Sequence, residues 1–459
     1  MRPIQAIQFG NAAVAASATA ACLFMALARM VAADDDVVNS RRVSVVATAY
    51  LRAGGSEFLG GLSDLITVGR HPRLRFWAIT DRGPKVNLQT PDGKVGALLQ
   101  PDFRPAVFEI ALSGRVLEDG SDARGTTVNP LQRVMFRGHS GKPVTGRPNG
   151  CQGDERLMDP SGKTMVAPDP NGIDSEGLAR LSDGSLWLSE EYRPSLVNVS
   201  ADGTLLRRYV PQGIDLPDAD CDVHDTLPAR YRSRKPNRGF EALAISPDET
   251  TLWALLQSPL EFPQPKAAKS TGNVRMLAFD LQARRPIAEF IYRLGDPADP
   301  AFANQGAPPD DGKLCAMAAI DNGAVLVLEQ ADDGTARLYR CSFAGATNTL
   351  EDGRPLESLG NLTEAGIAPL RKSLVADLAS LMPRFAADIT GGAWQAKPGE
   401  RVKGLKLEGL AIVDPQRVAL VNDNDFNADH IEDASKPERQ SCLWIISLPY
   451  PLTPPEDEP

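Results

Sequence analysis

Acidic side chains recur at matching points of a hairpin that the chain repeats. The stretch SEGLARLSDGSLWLSEEY, residues 175–192, has one carboxylate near its start and two near its end, and residues 240–257 and 407–425 resemble it. The acids at these ends are Asp81, Glu176, Glu190, Glu191, Glu241, Glu408, Asp423 and Asp425. Crowded carboxylates need a counter-charge, and Ca²⁺, which takes about 6–8 oxygen ligands, suits them best. The alternative is a structural role, in which each carboxylate caps backbone amides or pairs with an arginine.

Arginines accompany these acids. Arg82 and Arg193 directly follow the acids that end the second strands, in DRGP and EEYRP, and Arg238 closes the basic stretch RYRSRKPNR at 230–238. A guanidinium binds phosphate oxygens through two parallel hydrogen bonds. Acids that hold a metal beside arginines that hold an anion are typical of phosphoester hydrolysis. For residues 230–238 a solvated loop is an equally good interpretation.

The elements that must position these side chains are short strands. Each copy reads as a strand, a tight turn and a second strand. The strands are apolar on both faces, which is typical of strands inside stacked sheets. The copies lie at residues 61–81, 175–192, 240–257, 314–330 and 407–425. A further hairpin follows most of them, and four-stranded units repeated radially form a β-propeller. We predict an all-β propeller of six blades, with five or seven as alternatives, and a β-sandwich as the competing fold.

The predicted topology brings the acids together. The start of a first strand and the end of a second strand lie at the same face of the ring, and the long connections 121–174, 212–239, 296–313 and 343–406 enter there too. We therefore expect the acids at one mouth of the central channel, among loops that usually carry function. The last unit lacks a fourth strand, which we expect the N-terminal segment RRVSVVATAYL to supply. Residues 362–385 look helical.

Small residues follow the acid at the start of the first strands. They are Gly177, Ala242, Ala316 and Gly409, whereas the first copy has Asp64. Because alanine occurs at this point, the shared property is small size, not a left-handed backbone. The pattern predicts a crowded place where the strands converge.

Several other classes of function are excluded. The formal net charge of -10 is unlike that of nucleic-acid binders, which are usually basic. The four histidines have no zinc-ligand spacing. The chain also lacks a G-x-S-x-G nucleophile elbow and a phosphate-binding Gly-Lys loop.

The termini and cysteines indicate export. Residues 1–33 read as a cleaved signal peptide, residues 41–452 as the propeller domain, and residues 453–459 as a disordered tail. We expect a secreted or periplasmic protein without stable membrane insertion after cleavage. Cys151 and Cys221 lie in long loops of the acidic face and are the expected disulfide pair. Cys315 and Cys341 should lie about 20 Å apart at opposite ends of their blade, too far to pair.

The ordered motifs GGLSDL, ITDRGP, GIDSEGLA, LSEEYRPSL, GFEALAISPD and EGLAIVD followed by NDNDF resemble the phytase-like family, also described as "esterase-like activity of phytase". The resemblance covers roughly residues 43–450 and implies a secreted or periplasmic propeller akin to calcium-dependent alkaline phytases. It implies as site residues Asp81, Arg82, Glu176, Glu190, Glu191, Arg193, Glu241, Glu408, Asp423 and Asp425. Cys315 and Ser63 stand where other units have Glu, so those two units should give no metal ligand there.

These observations favour a calcium-assisted hydrolase of phosphoric esters that acts on a small anionic substrate. In this interpretation the metal ligands are Glu176, Glu241, Glu408, Asp423 and Asp425. The catalytic acids are Glu176, Glu190, Glu191 and Asp81, and the substrate is bound by Arg82, Arg193 and Arg238. Two alternatives stay open: a lactonase or carboxylesterase on the same scaffold, and a propeller that binds a protein or glycan without catalysis.

Overall fold

Five β-sheets of four or five strands, arranged as blades, and one separate two-stranded sheet form the described part of the protein. The computed structural model describes residues 42–452 except 52–59, 70–73, 92, 113–125, 129, 151–153, 265–270, 296–311, 394–401 and 403–404. The predicted signal peptide, the predicted C-terminal tail and Cys151 therefore lie outside the described residues. Among those that are described, no helix has the length and apolar character needed to span a membrane.

The strands are numbered in chain order, and blade 5 also takes up β1 from the N-terminal side. Blade 1 contains β2 (Leu62–Gly69), β3 (Arg75–Thr80), β6 (Ala106–Ala111) and β8 (Pro130–Met135). Blade 2 contains β9 (Ser175–Arg180), β10 (Leu186–Glu190), β11 (Ser195–Val199), β12 (Leu205–Pro211) and β13 (Asp222–Leu227). Blade 3 contains β14 (Phe240–Ile245), β15 (Thr251–Leu256), β16 (Asn273–Asp280) and β17 (Arg285–Arg293). Blade 4 contains β18 (Lys313–Asp321), β19 (Ala324–Gln330), β20 (Ala336–Ser342) and β21 (Arg371–Asp377). Blade 5 contains β22 (Lys406–Asp414), β23 (Arg417–Asp423), β24 (Ser441–Ser447), β1 (Ser44–Leu51) and β7 (Thr126–Val128).

The five blades close into a ring. The innermost strands β2, β9, β14, β18 and β22 each contact the next, and β22 contacts β2. This arrangement is a five-bladed propeller, so the β-sandwich is excluded. The preferred count of six blades is wrong and the alternative of five is correct. The wide gap between the first two copies holds the outer strands of blade 1, long loops and a separate hairpin of β4 (Lys85–Thr90) and β5 (Gly93–Leu98).

The N-terminal strand closes the ring, as the sequence predicted. β1 runs antiparallel to β24, with Tyr50 opposite Cys442, and supplies the fourth strand of blade 5. The helical prediction for residues 362–385 is largely wrong, because β21 occupies the middle of that range. The helix α1 covers Met382–Ile389, and a short helix α2 covers Ala428–Glu432.

The hydrophobic core lies between neighbouring blades. Leu178 and Ala179 point to opposite faces of β9, and both are buried. Leu178 packs with Trp77 and Ile79 of blade 1, whereas Ala179 packs with Leu243 of blade 3. Successive side chains of one strand thus join two interfaces, which explains why the innermost strands are apolar on both faces.

The cysteines are free where the structure describes them. Cys315 and Cys341 are separate buried thiols, as predicted. Cys221 also carries a free thiol in this structure. Because Cys151 is outside the described residues, its pairing with Cys221 stays a prediction.

The small residues that follow the acids predict a place where the strands are crowded, and the structure has such a place at Gly177. A Cβ atom added there would lie 2.6 Å from Leu243 Cβ and 2.7 Å from Leu243 N of the next blade. A real Cβ atom does not approach other atoms so closely, so the neighbouring strand would have to move. Gly177 therefore allows blades 2 and 3 to approach closely, as the small residues at this point of the repeats indicated.

We expect Gly177→Ala to lower the free energy of unfolding by about 1–3 kcal/mol, the usual cost of overpacking a rigid interior. Urea denaturation measures this change. The matched control is Gly353→Ala, because a Cβ atom at Gly353 meets nothing within 4 Å. Equal stability of the two variants would contradict the close approach.

Candidate active site at the mouth of the propeller channel

Carboxylates from four blades meet in one cavity at the channel mouth. Glu176, Glu241 and Glu408 stand near the starts of β9, β14 and β22, which are innermost strands around the axis. β9 lies next to β14, whereas β2 and β18 separate β22 from them. The three glutamates line a cavity of about 260 Å³, called here the axial cavity. Its other charged lining residues are Asp81, Arg82, Lys85, Glu191, Arg238, Lys313, Lys406, Asp423 and Asp425.

The tightest acidic group of the described residues belongs to blade 2. One carboxylate oxygen each from Asp174, Glu176 and Glu191 can lie within 4.8 Å of the other two, and all three residues are buried. Asp174 and Glu176 are two residues apart, so the extended chain directs both to the same face. Glu191 follows the antiparallel strand β10 and donates its backbone N–H to Asp174 O. We call these three residues the carboxylate triad.

Burial and mutual repulsion make these acids weak. Burial is the main cause that raises the pKa of Glu176 well above its usual value, and the neighbouring charge of Glu241 adds to it. The pKa of Glu191 is raised for the same two reasons. Burial, helped by the charge of Glu408, raises the pKa of Glu241 to about 8. A cation in this cavity would relieve the repulsion.

An unsatisfied oxygen supports a cation-binding interpretation. Gln257 donates a hydrogen bond of 3.1 Å to Glu191 Oε1. Glu241 Oε2, which is buried, has no hydrogen-bond partner in the described part of the chain. Leaving a buried carboxylate oxygen unpaired is costly, whereas a hard cation takes such oxygens as ligands. The donor chemistry of the triad with Glu241 and Glu408 therefore fits calcium.

Two acids of blade 5, Asp423 and Asp425, pair with an amino group of the protein. Lys406 Nζ lies 3.1 Å from Asp423 Oδ2 and also bonds Asp425. Burial and the charge of Asp425 raise the pKa of Asp423 to about 8. Burial opposes ionisation of Asp425 as well, but Lys406 outweighs it and lowers the Asp425 pKa. These two predicted metal ligands thus line the axial cavity but are already paired with an ammonium group.

Arg82 is held rigidly beside the carboxylate triad. Its Nη1 lies 2.8 Å from Asp174 Oδ2 and 3.3 Å from Glu155 Oε2, and its backbone N–H donates to Asp174 Oδ1. The guanidinium also lies 5.4 Å from the ring centre of Tyr192. Asp81 is fixed in a similar way, since its Oδ1 accepts the backbone N–H of Gly83. The rigid guanidinium is suited to hold an anion at a set distance from the triad.

Two predicted site residues are not in the axial cavity. Glu190 is fully buried and accepts hydrogen bonds from the backbone N–H groups of Asp174, Tyr192 and Arg193 and from Ser195 Oγ. Its carboxylate therefore caps a turn, which is the structural alternative that the sequence left open. Arg193 points away from the axis and forms an ion pair with Asp154. Both side chains therefore lie outside the axial cavity, in which the sequence led us to expect them.

Sequence reasoning missed Asp174 of the carboxylate triad and three lysines that line the axial cavity. Asp174 lies in GIDSEG, two residues before Glu176, and Lys85 follows the DRGP motif. Lys313 and Lys406 open β18 and β22, two residues before Cys315 and Glu408. Asp174, Lys313 and Lys406 could have been found from this spacing of two residues, because residues i and i+2 of a strand share a face.

Comparison with known proteins gives several similarities. A family model described as "Phytase-like: Esterase-like activity of phytase" matches residues 57–426. An uncharacterized secreted protein of Arthroderma benhamiae is 27% identical over 404 residues, which are 76% of this chain and 75% of that protein.

Solved structures are similar only at a low level. A luciferin-regenerating enzyme aligns with 85% of this chain and 92% of its own at 9% identity and a TM-score of 0.31. The PQQ-bound aldose sugar dehydrogenase of Streptomyces coelicolor aligns with 88% of this chain and 98% of its own at 11% identity and a TM-score of 0.30. Similarity this low carries no information on chemistry. The family match, in contrast, spans most of the sequence, and on this ground the chain belongs to the phytase-like family, esterase-like activity of phytase.

Proposed function

We propose that the protein is a calcium-assisted hydrolase of phosphoric esters that works in the axial cavity. The observation that carries the proposal is the carboxylate triad beside Arg82, with further cationic side chains around the same cavity. Oxygen ligands for a hard cation and guanidinium donors for an anion are thus within one small space. The secreted relative from Arthroderma benhamiae and the predicted signal peptide support a secreted or periplasmic location.

The carboxylate triad and the other residues of the axial cavity divide into two roles in this proposal. Asp174, Glu176, Glu191, Glu241 and Glu408 would hold calcium, which lowers the pKa of a bound water and neutralises phosphate charge. Arg82, Arg238 and Lys313 bind and orient the phosphate oxygens of the substrate. Lys406 stays with Asp423 and Asp425 and keeps that side of the cavity close to neutral.

The deciding experiment is an assay of the purified protein on phytate and nitrophenyl phosphate, with added calcium and with chelator. We expect phosphate release with calcium and its loss with chelator. No turnover in either condition contradicts the proposal. Hydrolysis of a lactone or carboxylic ester without phosphate release would favour the lactonase or carboxylesterase alternative, and ligand binding without any turnover would favour the binding propeller.

Calcium is expected to raise the melting temperature, and more strongly at pH 8 than at pH 6. A ligand present at about 100 times its Kd stabilises the native state by about 2.7 kcal/mol. The pKa of Glu241 is raised from 4.5 to about 8, so at pH 6 a proton occupies a carboxylate that calcium needs. A raised carboxyl pKa in the folded state also means that the calcium-free protein loses stability as pH rises from about 4.5 to 8.

Melting curves at both pH values, with calcium, magnesium and chelator, measure this effect. Magnesium is the control, because it requires near-octahedral geometry and gives up its water reluctantly. A calcium shift that is larger at pH 6 than at pH 8 would contradict the assignment of buried carboxylates as ligands.

A further inference from the structure

A second cavity lies off the channel axis on the same face. It has a volume of about 610 Å³ and is called here the off-axis cavity. Its walls come from the turn after β10, the chain after β12 and the short helical turn Ala229–Ser233 that precedes blade 3. Its charged lining residues are Asp154, Arg193, Asp215, Arg232 and Arg234.

The basic stretch 230–238 is divided among three places. Arg230 forms an ion pair of 3.2 Å with the buried Glu289 and therefore stabilises blade 3. Arg238 lines the axial cavity, whereas Arg232 and Arg234 line the off-axis cavity. The proposed hydrolase chemistry uses only Arg238. Arg234 is held in place by a hydrogen bond to Tyr192 O and by its ion pair with Asp154, whereas Arg232 is exposed at the rim.

Arg193 at this cavity is buried with unsatisfied donors. The residue is only 3% exposed, and its Nη2 lies 2.5 Å from Asp154 Oδ2. Its Nε and Nη1 have no hydrogen-bond partner in the described part of the chain. Unpaired donors on a buried cation cost free energy, and an oxyanion accepts hydrogen bonds from such groups.

The lining of the off-axis cavity holds more arginines than carboxylates. Arg193 and Arg234 share the single carboxylate of Asp154, since Arg234 Nη2 lies 3.5 Å from its other oxygen. Arg232 adds a third positive charge at the exposed rim, and Asp215 a second negative one. The lining thus has three guanidinium groups and two carboxylates, and the buried Glu190 carboxylate also interacts with the charge of Arg193.

We propose that the off-axis cavity binds the phosphate group of a small organic ester, with Arg193 at its base and Arg232 at its rim. The size of the cavity is in the range of about 300–1,000 Å³ that is typical of small-molecule sites, and it exceeds what a bare phosphate fills. The organic part of the ligand contacts the remaining wall, which includes Ile214.

This site does not depend on catalysis in the axial cavity. Residues 154 and 155 form a wall between the two cavities: Asp154 pairs with Arg193, and Glu155 pairs with Arg82 and Lys85. A phosphate bound at Arg193 thus has its own set of donors, and its binding can be measured without calcium.

Isothermal titration in the presence of chelator tests the proposal, with inorganic phosphate and glucose 6-phosphate as probes. We expect saturable binding of both, with Kd at or below about 1 mM and with the ester binding more tightly. Arg193→Gln should weaken binding about tenfold or more, and the exposed Arg232→Gln about threefold. Arg285→Gln is the matched control, because Arg285 is exposed on β17 and lines neither cavity, and it should leave binding unchanged. Arg238→Gln reports separately on phosphate that binds in the axial cavity.

Three outcomes would overturn the proposal. The first is the absence of saturable binding to the wild-type protein, and the second is unchanged affinity in both off-axis variants. The third is loss of binding in Arg238→Gln alone, which would place the anion in the axial cavity. If Arg193→Gln does not fold, Arg232→Gln decides. Failure of the proposed hydrolase activity is seen separately, in the calcium-dependent assay.

Discussion

Replacing Glu176 by glutamine is expected to lower kcat/KM on phosphate esters by about 100- to 1,000-fold, the usual loss when one electrostatic group of an active site is removed. The side chain keeps its shape but loses the central charge of the carboxylate triad. Calcium should then no longer raise the melting temperature. Without calcium the variant should be more stable than the wild-type protein, because burial and the charge of Glu241 already oppose ionisation of Glu176. A gain in stability with a loss of activity is typical of functional charges.

Assays and melting curves with and without calcium measure both changes. The matched control is Glu364→Gln, since Glu364 is exposed on a loop of blade 4. A variant at Glu176 that keeps wild-type activity and its full calcium response would exclude the triad as the metal site. If activity falls but the calcium response stays, Glu176 contacts substrate and other carboxylates hold the metal.

The acidic mouth could be predicted because it follows from local rules. Side chains alternate along a strand, and antiparallel strands reverse direction, so the start of β9 and the end of β10 must lie at one face. Those two rules suffice to bring Glu176 and Glu191 together. The repeat of the same hairpin adds Glu241 and Glu408 without any knowledge of how the blades pack.

The choice between Glu190 and Glu191 could not be made from the sequence. The two residues are adjacent and therefore point in opposite directions, so one enters the cavity and the other enters the protein. Glu190 is taken up by the backbone amides of its own turn, and these contacts depend on the path of residues 191–195. Arg193 follows the same turn and is directed to Asp154, about 40 residues earlier in the chain. Such long-range pairs leave no trace in residue spacing.

The preference for six blades and the helix predicted over the outermost strand of blade 4 were wrong for another reason. A propeller closes when the innermost strands meet, and this depends on packing between blades, not on the length of a gap in the sequence. β21 lies at the outer edge of its sheet and is largely exposed, so its apolar residues do not follow the pattern of a buried strand. Outer strands are stabilised mainly by their hydrogen bonds to the neighbouring strand.

Asp64 is a buried side chain that joins innermost strands of neighbouring blades, and we expect Asp64→Ala to lower the free energy of unfolding by about 3–5 kcal/mol. It is buried near the axis, and its Oδ2 accepts the backbone N–H of Leu178 at 2.8 Å. Its Oδ1 accepts the backbone N–H of Leu65 at 2.7 Å, and the backbone of Leu410 is close enough to lower the pKa of Asp64. Alanine would leave these buried amides unpaired, at about 1–3 kcal/mol each. Asp64 stands where the other first strands have a small residue, and its contacts to three strands explain this difference.

The same variant connects the fold to the site, because Leu178 and Leu410 each stand two residues after a cavity carboxylate. Loss of their anchor should displace Glu176 and Glu408, so the calcium-dependent rise in melting temperature should shrink as well. Asp64→Asn retains one acceptor oxygen and should show about half of the destabilisation.

The control is Asp183→Ala, whose carboxylate accepts a backbone N–H in an exposed turn, where water can replace it. Urea denaturation and calcium melting curves measure both effects, and an Asp64→Ala protein as stable and as responsive to calcium as the control would show that the strands are held at the axis by packing alone.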